Sequence, residues 1–305
     1  MSSTVETNAR WDSQALGPWT SQFARGETLT LEGLQSHYRV QGEGPPLILL
    51  HGFFFDSELW GRNIDTLART HRVHALDLWG FGYSARIMQP SYAHYARQVA
   101  AFMTALGIER AAFIGHSLGG GIAMYFSVHH PDRVSALVLV GSAGMRNPEP
   151  LAARSLALPG IGELLLKLPG DGLRKKMLRD FFFCDPRTLT AAAFTALTRH
   201  QKIRGSAASA LALMRGGFAD RLEGLLPRLA ALRLPILIVW GEQDRAIPLA
   251  LGERLHRALP GSTLCVIPDA GHAPNFEQPD RFNAAVTAFL GKHPGPAGPD
   301  RQCGA

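Results

Sequence analysis

Cysteine is scarce in this chain. The three present, Cys184, Cys265 and Cys303, are too scattered for a disulfide framework or a CxxC metal site, so free thiols are expected. Charge is thin as well, at 18% of residues, and no five or six like charges run together, which argues against nucleic acid as a partner. An excess of 31 basic over 25 acidic residues leaves a mild +6. Its densest part, Arg174, Lys175, Lys176 and Arg179, reads as a solvated helix face, with attraction of an anionic lipid or substrate as the alternative. Nowhere do about eighteen apolar residues stand in a row, and no basic start precedes an apolar stretch. Neither a transmembrane segment nor a secretory signal is expected, and a cytoplasmic location is the default.

What is present is apolar. At 46% hydrophobic residues over 305 positions, disorder is excluded as the dominant state, and the length suits two domains or one large α/β domain carrying an insertion. Short runs rich in Val, Ile and Leu at 46–50, 73–76, 111–114, 136–140, 236–240 and 264–267 read as strands buried on both faces of a parallel sheet. An opening hairpin over 28–34 and 36–41 precedes them. Helical spacing follows most of the strands, at 59–67, 92–106, 118–128, 249–259 and 281–290. Strand then helix, repeated, means an α/β sheet.

The rhythm breaks after Gly144. Residues 145–224 hold helical stretches without a convincing strand and read as a helical cap; because they enter at the C-terminal end of a strand, where ligands bind in open α/β sheets, they could cover a substrate. Residues 27–144 and 225–291 then form the core. Residues 1–26, polar with scattered Trp11, Trp19 and Phe23, read as an irregular N-terminal arm packing those aromatics on the body. Residues 292–305, rich in Pro and Gly, read as a flexible tail.

Gly115, His116, Ser117, Leu118 and Gly119 spell GxSxG between a strand and a helical pattern. A tight strand-to-helix turn holds its serine in a strained conformation, and glycine flanks keep neighbouring atoms away. A serine hydroxyl is a poor nucleophile near neutral pH, so it needs a base within hydrogen-bond reach and an anionic group to orient that base. His272 follows a late strand through Pro268, Asp269, Ala270 and Gly271; Asp244 follows another through Gly241, Glu242 and Gln243. Glu242 is the nearest rival to Asp244. Asp77 also ends a strand but precedes the serine and opens a glycine-punctuated turn, so it reads as structural. The remaining need is an oxyanion hole of two backbone amides, for which Leu118, just after the nucleophile, and Phe53, in the turn after 46–50, are the candidates. His51 in that turn is expected to hold the loop by hydrogen bonds. Phe54, Phe55, His116 and Ala273 are candidate substrate-pocket residues, and no side chains have metal-ligand spacing, so neither metal nor cofactor is expected.

These landmarks, His51–Gly52, the DxxGxGxS turn of Asp77, Gly80, Gly82 and Ser84, the elbow at Ser117, Asp244 after Trp240–Gly241, and Gly271, His272, Ala273 and Pro274, stand in an order that resembles the α/β-hydrolase superfamily over about residues 28–291. The resemblance implies an eight-stranded, mostly parallel sheet with a helical cap after the sixth strand, and carries nucleophile, acid and base onto Ser117, Asp244 and His272. Haloalkane dehalogenases and epoxide hydrolases of this fold place Asp at the elbow, where this chain has Ser117. The capped branch of carboxylesterases and lipases, related to the hydrolases of meta-cleavage products, is the better match. Those carbon–carbon hydrolases typically show Asn before the elbow serine and Trp after the base; His116 and Ala273 stand here instead. The expected activity is therefore hydrolysis of small-molecule carboxylic esters with hydrophobic short- to medium-chain groups. The alternatives are carbon–carbon hydrolysis of 2-hydroxy-6-oxo-dienoates and a non-enzymatic receptor using the same pocket.

Overall fold

A computed structural model describes residues 9–147, 155–217 and 221–295. Eight strands form one sheet: β1 (Glu27–Leu31), β2 (Leu34–Gln41), β3 (Pro46–Leu50), β4 (Arg72–Leu76), β5 (Ala111–His116), β6 (Val134–Val140), β7 (Ile236–Gly241) and β8 (Thr263–Ile267). Their order is β1-β2-β4-β3-β5-β6-β7-β8. β1 and β2 pair antiparallel, as do β2 and β4, and every later pairing is parallel. The hairpin turns at Glu32 and Gly33, so Leu34, read as part of the first strand, opens the second.

The apolar runs are continuous because both faces are covered. In β3, Ile48 and Leu50 enter one hydrophobic cluster while Leu47 and Leu49 enter the other, the period of two that a strand dictates. On the first face lie α2 (Tyr92–Ala105), α3 (Leu118–His129) and α8 (Leu249–Ala258); on the second lies α9 (Pro279–Lys292), through Phe282, Val286, Phe289 and Leu290. Between β6 and β7 come α4 (Ile161–Lys167), α5 (Gly172–Met177), a π-helical turn over Leu178–Phe182, α6 (Ala191–Thr198) and α7 (Ser206–Gly216). Of the residues assigned to the cap, 148–154 and 218–220 lie outside the described residues; so does most of the tail, from 296 onward, with Cys303. Cys184 and Cys265 are free thiols. Among the described residues no helix is long and apolar enough to cross a membrane.

Two expectations need correction. The arm over 1–26 is not irregular throughout: it contains α1 (Leu16–Phe23), which buries Trp19 and Phe23 against Tyr83 and Ile203. Those two aromatics stand four positions apart, on one helix face, but a single two-turn helix is too short to declare a period. The stretch 59–67 is not one helix. It divides into a 3₁₀ turn at Ser57–Trp60 and one α-turn at Ile64–Leu67. Between them the side chain of Asn63 donates to the Asn275 carbonyl and to Asn283 Oδ1, both at 2.9 Å, ties to the far end of the chain that outweigh local helical spacing.

Candidate active site

β5 ends at the middle of the sheet, and Ser117 is the single residue between it and α3. Its backbone stands at φ 52°, ψ −116°, an uncommon conformation for a residue with a side chain. The surroundings enforce it. Ser117 N donates to the Val140 carbonyl at 2.8 Å, and its own carbonyl accepts from Gly120, Gly121 and Ala143 amides at 3.0, 3.2 and 2.9 Å. Gly119 has to be glycine because a Cβ there would lie 2.2 Å from the Leu50 carbonyl oxygen, so the start of α3 sits directly on the end of β3.

His272 and Asp244 leave the ends of β8 and β7. The His272 Nδ1–H donates to Asp244 Oδ2 at 2.8 Å; Asp244 Oδ1 accepts from the amides of Ala246 and Ile247 at 2.9 and 2.8 Å. Both oxygens of the carboxylate are thus held, and the Nδ1 side of the His272 ring is fixed toward Asp244. Glu242 is exposed and accepts from the side chain of Gln243, so it is Asp244 that reaches the imidazole. The base loop is brought to the elbow by His116: its Nε2–H donates to the His272 carbonyl at 2.7 Å, and the two rings stand 4.8 Å apart. Burial, then the neighbouring His272, holds His116 well below the ordinary histidine range, so it is neutral.

The turn after β3 closes the other side. A Cβ on Gly52 would stand 3.1 Å from Ser117 Cβ, which puts this turn in contact with the elbow. His51 is fully buried, donating from Nδ1 to the Gly52 carbonyl at 2.8 Å and accepting at Nε2 from the Leu78 amide at 2.9 Å. Burial lowers its pKa, in keeping with a neutral, loop-holding ring. Among the described residues, neither the Phe53 amide nor that of Leu118, the first of α3, donates to a protein acceptor. The four candidate pocket residues separate. Phe54 lines the cavities under the cap. Phe55 is buried in T-shaped contact with His116 and Phe182, His116 is occupied as described, and Ala273 is packed among Phe55, Phe183 and Phe276.

Three further residues bear on this region. The Phe182 carbonyl, from the cap, accepts from the His272 amide at 2.8 Å, and the Phe182 ring lies 5.4 Å from the imidazole. Glu277 accepts from Gly271 N at 2.7 Å through Oε1 and from Cys184 N and Asp185 N at 2.6 and 3.3 Å through Oε2, tying base loop to cap. Burial pushes its carboxyl up to about 7 although those three amides favour the anion. Arg174, read as part of a solvated face, is instead 6% exposed. The clue was in its spacing: it precedes Leu178 by four residues and so falls on the apolar face of its helix. Among the described residues no three or more His, Cys, Asp or Glu side chains are grouped to hold a metal ion.

The family model for the alpha/beta hydrolase fold matches residues 45–279, and the chain belongs to that family. It is 34% identical over 266 residues, 86% of this chain and 68% of the other, to a dihydrolipoyllysine-residue acetyltransferase component of the acetoin cleaving system from Cupriavidus necator. It is 27% identical over 264 residues, 84% and 98% of the two chains, to a pimeloyl-[acyl-carrier protein] methyl ester esterase from Vibrio vulnificus. Among solved structures, a mutant form of a meta-cleavage product hydrolase superposes with a TM-score of 0.76 at 27% identity, covering 88% of this chain and 98% of that one. Hydrolases thus stand among the relatives in both sequence and structure.

Proposed function

We propose that this protein is a cofactor-free serine hydrolase of carboxylic esters with Ser117, His272 and Asp244 as its triad. The observation that carries the reading is the oriented His272–Asp244 pair, joined through His116 to a serine held at positive φ between strand and helix. His272 takes the Ser117 proton as the hydroxyl attacks the carbonyl, and the amides of Phe53 and Leu118 receive the oxyanion. Asp244 fixes the tautomer and stabilises the imidazolium. The alcohol leaves with the proton from His272, and water clears the acyl-enzyme by the same steps. Phe53, Phe54 and Phe182 favour a hydrophobic group in the site.

A fluorophosphonate should label Ser117 in the native protein and not in Ser117→Ala; a native protein that resists labelling would leave the receptor reading standing. The structural likeness to a meta-cleavage product hydrolase favours a second reading, cleavage of a carbon–carbon bond in a 2-hydroxy-6-oxo-dienoate. Against it, His116 already spends its one N–H on the His272 carbonyl. Nitrophenyl esters of graded chain length assayed beside such a dienoate decide the order, and faster turnover of the dienoate would reverse it.

A further inference from the structure

Beneath the cap lie two small cavities that share Phe54, Leu166, Arg174 and Gln201 in their walls. One of them reaches Phe182, against the His272 ring, and Phe54 is the residue after the proposed oxyanion donor Phe53. The space begins one aromatic ring away from the reacting groups. At about 20 Å³ the larger has room for roughly one or two water-sized groups, the size of a small polar head rather than a chain.

The guanidinium on this wall is unusual. Its Nε donates to Gln201 Oε1 at 2.9 Å, its Nη2 to the Leu166 carbonyl at 2.6 Å, and its plane lies over Trp11 at 3.8 Å. Gln201 in turn donates to the Phe54 carbonyl at 3.0 Å, so the arginine is braced against the oxyanion turn itself. All these partners are neutral. The carboxylates that bear on Arg174 through space, Asp171 and Asp12, are taken by Lys175 at 3.3 Å and Lys167 at 3.4 Å. Burial lowers the guanidinium to about 10, which leaves it charged at neutral pH. Among the described residues no carboxylate lies within ion-pair distance of this buried cation, a costly arrangement unless an anion joins it.

We propose that Arg174 receives an ionised acid group carried by the substrate away from the scissile bond, so that the preferred substrates are esters bearing a second, free acid. The inference rests on the serine-hydrolase reading above and narrows it. The planar fork suits a carboxylate, and the braces from Gln201, Leu166 and Trp11 fix its aim before substrate arrives. The matching acid group is the one feature that separates such esters from simple alkyl esters of equal length.

The test measures kcat/KM for nitrophenyl half-esters of linear dicarboxylic acids of increasing length, each beside its neutral methyl-capped partner. A second series places the free acid on the alcohol side. One series should show, at its best length, a preference for the acid over the neutral partner of about tenfold or more, the scale of a charge-assisted hydrogen bond. Arg174→Gln should abolish most of that preference, and Arg174→Lys, which keeps the charge without the fork, should keep part of it. Labelling of Ser117 by an uncharged fluorophosphonate reports whether each variant is folded around its triad; if Arg174→Gln is not labelled, Arg174→Lys decides. A wild type that is labelled and turns over neutral esters yet shows no acid preference in either series overturns the role of Arg174 alone. A preference undiminished in a labelled Arg174 variant does the same. Wild type that is neither labelled nor active on any ester defeats the hydrolase reading and this one with it.

Discussion

His272 and His37 each donate Nδ1–H to a buried aspartate, Asp244 at 2.8 Å and Asp77 at 2.7 Å. By distance and burial the two pairs are near twins, and both aspartates follow strands of the same sheet. What stands around them differs. Asp77 also accepts from the Ser57 and Tyr83 amides at 2.8 and 2.9 Å, and the far side of the His37 ring faces the backbone at Gly26. His37 therefore bolts β2 to the turn after β4. Asp244 is likewise saturated, but its histidine lies on the rim beside a serine elbow. An aspartate–histidine pair is thus not a reactive device in itself; on the triad proposed above, the group on the imidazole's other side is what sets the two pairs apart.

Breaking each pair should separate these roles. Ser117→Ala is expected to lower kcat on a nitrophenyl ester by roughly six orders of magnitude, and Asp244→Asn by roughly four, with urea midpoints close to that of the wild type. Most activity surviving in Ser117→Ala would end the assignment. Asp77→Asn should do the reverse, costing about 3–5 kcal/mol of stability in denaturant unfolding, while kcat per fluorophosphonate-titrated site stays within a fewfold. Burial works against the charge of Asp77, yet the His37 pairing and the backbone donors outweigh it and depress its pKa. Its contribution to stability is accordingly present above the unfolded value of 3.8 and is lost as the pH falls through the lower folded value, where Asp77→Asn should lose its disadvantage.

A smaller effect is expected at the joint between elbow and base. His116→Leu removes the hydrogen bond to the His272 carbonyl and should cut kcat roughly five- to tenfold with little change in KM, the scale of one net hydrogen bond. An unchanged kcat in a folded variant would show that the base loop needs no such brace. The smallest concerns Glu277. Its folded pKa, raised to about 7 from 4.5, means that the folded state holds a proton the unfolded chain has released across that interval. Its share of stability is present in full below 4.5 and is lost as the pH climbs through about 7. The Tm of the wild type should therefore fall more steeply over this range than that of Glu277→Gln; parallel Tm curves would contradict it.

The sheet was legible because its strands are covered on both faces, so each wrote itself as a run of Val, Ile and Leu such as 46–50 or 236–240. Ser117, Asp244 and His272 stood out as candidates because each follows a strand, with Gly115, Gly241 and Gly271 one to three residues ahead of them. The pairing of His37 with Asp77 was not, since it depends on the register of β2 against β4, a contact between residues forty positions apart. Arg174 was misread for a related reason. An arginine among lysines has the composition of a surface, although its spacing four residues before Leu178 is that of an apolar face, and the packing of α5 against Trp11 and α4 holds it inward. The arm's helix is too short to carry a pattern and is stabilised by what it touches.

The ladder of bonds from Phe182, Cys184 and Asp185 to His272, Gly271 and Glu277 has an architectural outcome. One hem of the insertion is sewn to the loop that carries His272, so any sway of that hem would drag the imidazole with it.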